Sequence, residues 1–123
     1  MITGAVNRYL EATVSIVVRG MDGRQRDIEA LIDTGFNGSL TLPPNVIDEL
    51  GLPWQTRGLA VLADGSSQQF DVHAATVMWD GSPRDILVQA AGTEPLLGML
   101  LLAGHALHVE VVSGGGVEIT SLG

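Results

Sequence analysis

Short apolar-rich runs, each closed by a turn signal, occupy most of the chain. Such runs lie at 13–18, 25–32, 39–42, 59–63, 69–79, 85–91, 107–112 and 117–120. Glycine, proline, aspartate and serine cluster between them, as in Asp64-Gly65-Ser66-Ser67, where Asp-Gly between two strand-like runs favours a hairpin. Short strands separated in this way are typical of a small barrel or sandwich. The pattern therefore predicts an all-β fold.

Two short helices interrupt the predicted strands. Pro43-Pro44 precedes the segment 45–50, and Gly51 follows it. Proline at the start of a helix and glycine just past its end is the expected asymmetry. Residues 99–106 are predicted as a second short helix in spite of Gly104, and residues 92–95 as a loop.

The chain has the length of one domain, and its composition excludes several kinds of function. Its 123 residues include no cysteine, which excludes disulfides and cysteine-based metal sites. The formal net charge is 6 − 14 = −8, whereas phosphate binding needs clustered lysine and arginine, so we expect no nucleic-acid partner. Residues 1–12 lack a basic segment followed by an apolar core, and the longest apolar run, 96–103, is too short to span a bilayer. We therefore expect a single domain over residues 1–123 that is cytoplasmic and has no membrane partner.

Asp33-Thr34-Gly35 is the segment whose pattern indicates chemistry most directly. It follows the apolar-biased run 28–32, Ile-Glu-Ala-Leu-Ile, which reads as a strand. A strand end would hold the Asp33 carboxylate rigidly, and the Thr34 hydroxyl can hold the loop in place. Gly35 is expected to let the backbone turn and to let another chain approach closely. The alternative is that these are ordinary turn residues.

The stretch 30–36, Ala-Leu-Ile-Asp-Thr-Gly-Phe, and the later Leu96-Leu97-Gly98 resemble the two signatures of the retropepsin-like aspartic proteases. In that family a strand leads into Asp-Thr-Gly, and two apolar residues and a glycine open a short helix. The resemblance covers roughly residues 12–120. Viral members usually carry a small residue where this chain has Phe36, and Asp-Thr-Gly-Phe is similar to a group of small prokaryotic relatives.

The resemblance implies an all-β closed barrel or sandwich of the acid-protease type, with one or two short helices, that works as a homodimer. In aspartic peptidases two carboxyls share a proton, so that one acts as general base on a water while the other polarises the carbonyl. The chain contains one Asp-Thr-Gly, so the second Asp33 must come from an identical subunit. The resemblance further implies that Thr34 hydrogen-bonds across the two-fold axis and that Leu96-Leu97-Gly98 lies under Asp33. It also implies that the hairpin at 63–66 is a flap over the cleft.

We therefore predict an aspartic endopeptidase that needs no cofactor and hydrolyses an extended peptide or an unfolded protein. The predicted catalytic segment is Asp33, Thr34 and Gly35, and the predicted substrate-binding residues are Phe36, Asn37, Ala63, Asp64, Gly65 and Ser66. Phe36 fits the core and a pocket wall equally well. The alternative is a non-catalytic peptide-binding or dimerisation module with the same fold, since Phe36 and Asp64 could crowd or repel a substrate.

A metal site and a serine nucleophile are weakly supported. His105 and His108 have a spacing that suits ligands on a helix, but they straddle the end of the predicted helix. The chain has no His-Glu-x-x-His and no Gly-x-Ser-x-Gly elbow. We therefore predict no metal site.

Overall fold

The computed structural model describes residues 1–92 and 94–123, which fold mainly as one mixed β-sheet. Its strands are β1 Ile2–Val6, β2 Ala12–Arg19, β3 Gln25–Ile32, β4 Leu40–Leu42, β5 Trp54–Val61, β6 Ser67–Trp79, β7 Ser82–Ala90, β8 Leu96–Leu97, β9 His105–Val109 and β10 Gly116–Ser121. The helices are α1 Pro44–Leu50 and α2 Met99–Leu102, and Met21–Gly23 forms a 3-10 turn. The predicted all-β character is confirmed. The predicted loop at 92–95 includes Thr93, which lies outside the described residues.

A ring of paired strands closes into a barrel. The sheet order is β5-β6-β7-β4-β8-β3-β2-β1-β10-β9, and β6 also pairs with β2 from Val17↔Met78 to Arg19↔Thr76. This extra pairing joins β2, β3, β8, β4, β7 and β6 into the ring. The hairpin of β5 and β6 extends beyond one side of the ring, and β1, β10 and β9 extend from the other.

Aliphatic side chains fill the barrel. Completely buried members of this core are Val18, Ala30, Leu40, Leu42, Val77, Val88, Leu97 and Leu101. Burial of each large aliphatic side chain contributes roughly 1.5–3 kcal/mol. Within residues 1–92 and 94–123, no helix has the length and apolar character needed to cross a membrane.

The helix predicted over 99–106 is wrong beyond residue 102. α2 ends at Leu102, and the chain then forms β9. Gly104 has a φ of +81°, a left-handed conformation that favours glycine and cannot continue a helix. His105 and His108 therefore lie on one strand, where residues three apart point to opposite faces.

β1 has no counterpart among the predicted strands. It pairs with β10 from Ile2↔Ile119 to Ala5↔Gly116, and with β2 from Gly4↔Val14 to Val6↔Ala12. Gly4 lies so close to β2 that an added Cβ would stand 2.0 Å from the Thr13 carbonyl oxygen. Glycine inside a strand weakens the local signal, so β1 depends on its long-range pairing.

Candidate active site

Strand pairing fixes the backbone position of Asp33. β3 and β8 pair in parallel at Leu31↔Leu96 and Ile32↔Leu97. Directly beyond this pair, the Asp33 N–H donates to the Leu97 carbonyl at 2.9 Å, and Leu97 is completely buried. The structure thus places Leu97 against Asp33, and the carboxylate stands at a rigid strand end.

Asp33 opens a tight turn that its own side chain supports. The Asp33 carbonyl accepts a hydrogen bond from Phe36 N–H at 3.1 Å, and Asp33 Oδ1 accepts one from Gly35 N–H at 2.9 Å. Asp33 is half-buried, whereas Thr34 and Gly35 are exposed. Within the described part of the chain, neither Asp33 Oδ2 nor the Thr34 hydroxyl has a hydrogen-bond partner. One carboxylate oxygen is therefore available to water or to another molecule.

The backbone conformation at residue 35 does not require glycine. Its φ is outside the left-handed region, and an added Cβ would meet only Asp33 Oδ1, at 3.2 Å. The backbone does turn at this position, but within this subunit the turn does not depend on glycine. Its role in letting another chain approach stays a prediction.

The loop after Asp33 is docked onto the start of α2 by three backbone hydrogen bonds. Gly98 N–H donates to Ser39 O at 3.0 Å, Met99 N–H to Phe36 O at 2.8 Å and Leu100 N–H to Gly38 O at 3.1 Å. An added Cβ at Gly98 would stand 2.2 Å from Gly38 O, so only glycine allows this close approach. The backbone N–H groups at the start of α2 therefore hold the loop in place.

Phe36 and Asn37 occupy different environments in this loop. The Phe36 ring is half-buried and packs against Gly38 and Gly98, and Asn37 is exposed. The side chain of Phe36 lines neither of the two cavities described below. The ring contacts therefore favour packing for Phe36, and its predicted role in substrate binding stays a prediction.

A cleft of about 470 Å³ opens beside Asp33 and Thr34. Its other walls are Leu10, Glu11, Ala12, Leu31, Ile32, Leu96, Leu107, Val109 and Val111. The walls are mainly apolar, and their only charged side chains, Asp33 and Glu11, are acidic. Leu10 and Val111 are 58% and 62% exposed, so the cleft continues into an uncovered apolar surface.

The predicted flap residues form the tip of the β5–β6 hairpin. Ala63, Asp64, Gly65 and Ser66 are all exposed and line neither cavity. Asp64 Oδ1 accepts hydrogen bonds from Ser66 Oγ at 2.5 Å and Ser66 N–H at 2.9 Å, and these bonds lower the pKa of Asp64. Gly65 has a φ of +85°, which suits glycine in a hairpin turn. The tip is thus a hydrogen-bonded turn on a hairpin that is separate from the Asp33 loop.

A larger cavity, about 960 Å³, lies between the hairpin strands and the loop that follows Asp33. Its walls include Gly58, Phe70 and Val72 from the hairpin, Gly38 and Ser39 from the loop, and Leu87 and Leu100. Asp33 does not line it. No group of three or more metal-ligating side chains is gathered anywhere in residues 1–92 and 94–123.

The structure brings some of the predicted site residues together and adds others. Residues 33–37 share one loop, and Asp33 and Thr34 share one cleft, but 63–66 lie on a separate hairpin. Leu10, Leu107, Val109 and Val111 were not predicted as site residues. No local pattern could have placed Leu107 and Val109 there, because β9 reaches Asp33 through long-range contacts, among them the pairing of β10 with β1.

The chain resembles a solved structure over almost its whole length. A retropepsin-like aspartic protease from Rickettsia conorii matches with a TM-score of 0.61 and 16% sequence identity, covering 98% of this chain and 90% of that one. The fold of this chain is retropepsin-like. No family model and no curated protein matches the sequence. At this identity the likeness concerns the fold, so membership of the Asp-Thr-Gly-Phe group, the homodimer and the flap stay predictions.

Proposed function

We propose that this chain is an aspartic endopeptidase that acts as a homodimer and uses Asp33 of both subunits. The observation that carries the proposal is the setting of Asp33. Its carboxylate stands at the end of β3, in an Asp-Thr-Gly turn, at the edge of an open apolar cleft. Its Oδ1 is held by Gly35 N–H, and Oδ2 has no partner among the described residues.

The chemistry follows from bringing two such carboxyls together. Two carboxyls a few ångströms apart cannot both ionise easily, so they share one proton. The ionised carboxylate removes a proton from a bound water, which attacks the peptide carbonyl carbon, while the protonated carboxyl donates to the carbonyl oxygen. As the tetrahedral intermediate collapses, the amide nitrogen takes the proton that the first carboxylate removed from water, the other carboxylate takes a proton from a hydroxyl of the intermediate, and the C–N bond breaks. No covalent enzyme intermediate forms.

The surface around Asp33 supports a second copy as the partner. Leu10 and Val111 are exposed beside the cleft, and β9 is at the edge of the sheet, so one side of its backbone is unpaired within the subunit. A contiguous exposed apolar surface can mark an interaction site, and a free strand edge can pair with another chain. Leu10 also has a φ of +60°, which costs a non-glycine residue of order 1–3 kcal/mol. Such strain is commonly kept where a side chain has a function.

An extended peptide is the substrate that this architecture favours. β5 is the other edge strand of the sheet, and its free backbone groups can pair with an extended chain. The cavity between the hairpin and the loop is walled by apolar side chains such as Phe70, Val72 and Leu87, which suits apolar substrate side chains. A cytoplasmic location and the absence of nucleic-acid partners stay predictions.

Asp33→Asn tests the proposal. We expect the purified variant to lose cleavage of an unfolded protein at mildly acid pH, because the amide cannot act as a base. Its fold should persist, since the Asn Oδ1 can still accept from Gly35 N–H. Asp22→Asn is the matched control, because Asp22 is exposed in the 3-10 turn with a left-handed φ of 55° that Asn tolerates.

The outcomes separate the two candidate functions. Loss of cleavage in Asp33→Asn alone supports the endopeptidase. Cleavage by Asp33→Asn at the wild-type rate removes Asp33 from the mechanism. A wild type that is dimeric and binds unfolded protein without cutting it would favour the peptide-binding module.

A further inference from the structure

The ring of Phe36 occupies the space where two glycines would carry side chains. An added Cβ at Gly38 would stand 2.5 Å from Phe36 Cζ and 2.7 Å from Cε1. An added Cβ at Gly98 would stand 2.5 Å from Phe36 Cδ2. Real Cβ atoms essentially never come within 3.0 Å of a heavy atom outside their own residue and its two chain neighbours. The ring is thus wedged between the two glycines.

Steric contact, and not backbone conformation, accounts for glycine at position 38. Gly38 is not among the residues with positive φ. The nearest atoms to its added Cβ all belong to side chains, Phe36 and Gln89, and Gln89 Nε2 at 3.0 Å is the end of a flexible chain. Gly98 differs, because its added Cβ would also meet the backbone oxygens of Gly38 at 2.2 Å and Phe36 at 2.7 Å. The Phe36 ring therefore requires glycine at position 38. At position 98 the backbone oxygens would require glycine even without the ring.

The backbone of Phe36 ties the same elements together. Its N–H donates to the Asp33 carbonyl at 3.1 Å, and its own carbonyl accepts from Met99 N–H at 2.8 Å. The residue is thus bonded to the Asp33 turn on one side and to α2 on the other. Its ring contacts Gly38 in the loop and Gly98 at the start of α2.

We infer that Phe36 is a positioning residue, whose ring locks the Asp33 loop onto α2 and requires glycine at position 38. The catalytic part of this inference rests on the proposed endopeptidase function. The role of Phe36 in packing does not rest on that function, because it concerns only the contacts of the ring with Gly38 and Gly98. With Phe36 replaced by a small residue, the loop would lose its wedge and Asp33 would be held less rigidly.

A set of variants tests the wedge without any assay of activity. We expect Gly38→Ala to lower the melting temperature by about 4 °C or more, because the new methyl group meets the ring. In the Phe36→Ala background the same substitution should cost clearly less. Gly98→Ala should remain costly in the Phe36→Ala background, since the backbone oxygens of Gly38 and Phe36 obstruct it whether or not the ring is present. Gly116→Ala is the tolerated control, because its added Cβ would meet only Glu110 Oε1, at 3.4 Å.

Amide exchange and kinetics test the positioning role. In Phe36→Ala the amides of Asp33 and Gly35 should exchange faster than in the wild type, because the hydrogen bonds to Leu97 O and Asp33 Oδ1 open more often. The kcat of Phe36→Ala should fall by about tenfold or more with little change in KM, since small misplacement of a catalytic group slows the chemical step. Phe36→Leu, which refills part of the space, should recover most of the kcat.

The results distinguish failure of this inference from failure of the proposed function. Equal costs of Gly38→Ala in both backgrounds would overturn the wedge. Unequal costs with unchanged exchange at Asp33 and Gly35 would overturn the positioning role. If the wild type cleaves no peptide, the endopeptidase proposal fails, while the melting and exchange measurements still decide on Phe36.

Discussion

The indole Nε1–H of Trp79 donates a hydrogen bond to Nε2 of His105 at 3.2 Å, with the two rings edge to face. Trp79 is the last residue of β6 in the barrel, and His105 is the first residue of β9. Nδ1 of His105 lies 3.1 Å from the Ala103 carbonyl oxygen, so both ring nitrogens have partners. The pair thus connects β9, which forms one wall of the Asp33 cleft, to the barrel.

Trp79→Phe should destabilise the protein by about 1–2 kcal/mol, because the variant loses this hydrogen bond and leaves Nε2 of His105 without its donor. Urea unfolding would measure the free energy of unfolding. Trp54→Phe is a matched control, since Trp54 also donates a hydrogen bond, to Asp71 at 3.1 Å, but is 56% exposed. It should change stability by less than about 0.5 kcal/mol. Equal effects of the two variants would mean that the contact with His105 contributes nothing specific.

The tip of the β5–β6 hairpin should exchange its amide hydrogens faster than the barrel. Residues 61–66 are exposed, and the turn is closed by Leu62 N–H to Ser66 O at 2.8 Å and Gly65 N–H to Leu62 O at 2.9 Å. Few buried contacts oppose local opening there. Exchange measured by NMR should be fast at 63–66 in the free protein and slower with a bound peptide inhibitor, as a flap requires.

Phe70 should limit how far this opening spreads. Its ring lies on Gly58 of the facing strand, where an added Cβ would stand 2.2 Å from Phe70 Cζ. Phe70→Ala should therefore extend fast exchange from the tip towards Gly58. Slow exchange at Ala63 to Ser66 in the free protein would show that the tip is no flap.

Ser66 should control the titration of Asp64. The hydrogen bonds from the Ser66 hydroxyl and N–H favour the ionised carboxylate and lower the pKa of Asp64. The pKa of Asp64 is lower in the folded hairpin than in the unfolded chain. The contribution of these bonds to hairpin order is therefore fully present above the ordinary pKa of aspartate, near pH 4, and is lost as the pH falls through the pKa of the folded hairpin. In NMR titrations, Ser66→Ala should raise the midpoint of Asp64. Ser67→Ala, also exposed, should leave it in place, and a midpoint insensitive to Ser66→Ala would assign the shift to another cause.

Local signals in the sequence predicted those elements whose ends are marked by their own residues. β3 spans Gln25–Ile32 as predicted, and α1 begins at Pro44 and ends before Gly51, which has a φ of +62°. The two ends of α1 each depend on the conformational preference of one residue. The turn at Asp64-Gly65 was predictable for the same reason.

Features that depend on long-range contacts could not be read in this way. β1 contains Gly4 and becomes a strand through pairing with β10 near the other end of the chain. The walls that β9 adds to the Asp33 cleft depend on that same pairing. The packing of Phe36 on Gly98 joins residues that are distant in sequence. The sequence alone therefore could not decide whether Phe36 belongs to the core or to a pocket wall.

Association of two subunits should be strengthened by salt and by lower pH. Each subunit carries a net charge of −8, so the proposed dimer carries 2 × (−8) = −16, and salt screens this repulsion. In the proposed dimer two Asp33 carboxyls would meet and share one proton, so the dimer would bind more protons than two separate subunits do. Lowering the pH then favours association. The dissociation constant, measured by sedimentation, should therefore fall with added salt and rise from mildly acid to neutral pH.

Two variants identify the groups behind this behaviour. Asp33→Asn should weaken the pH dependence and keep the salt dependence, because it removes the shared proton and changes the net charge little. Val111→Asp should weaken association, since it places a carboxylate on the exposed apolar wall beside Asp33. Met21→Asp is its control, because Met21 is 49% exposed but lines the other cavity. A chain that stays monomeric at every accessible concentration, or a Val111→Asp variant that associates like the wild type, would contradict a dimer that meets at Asp33.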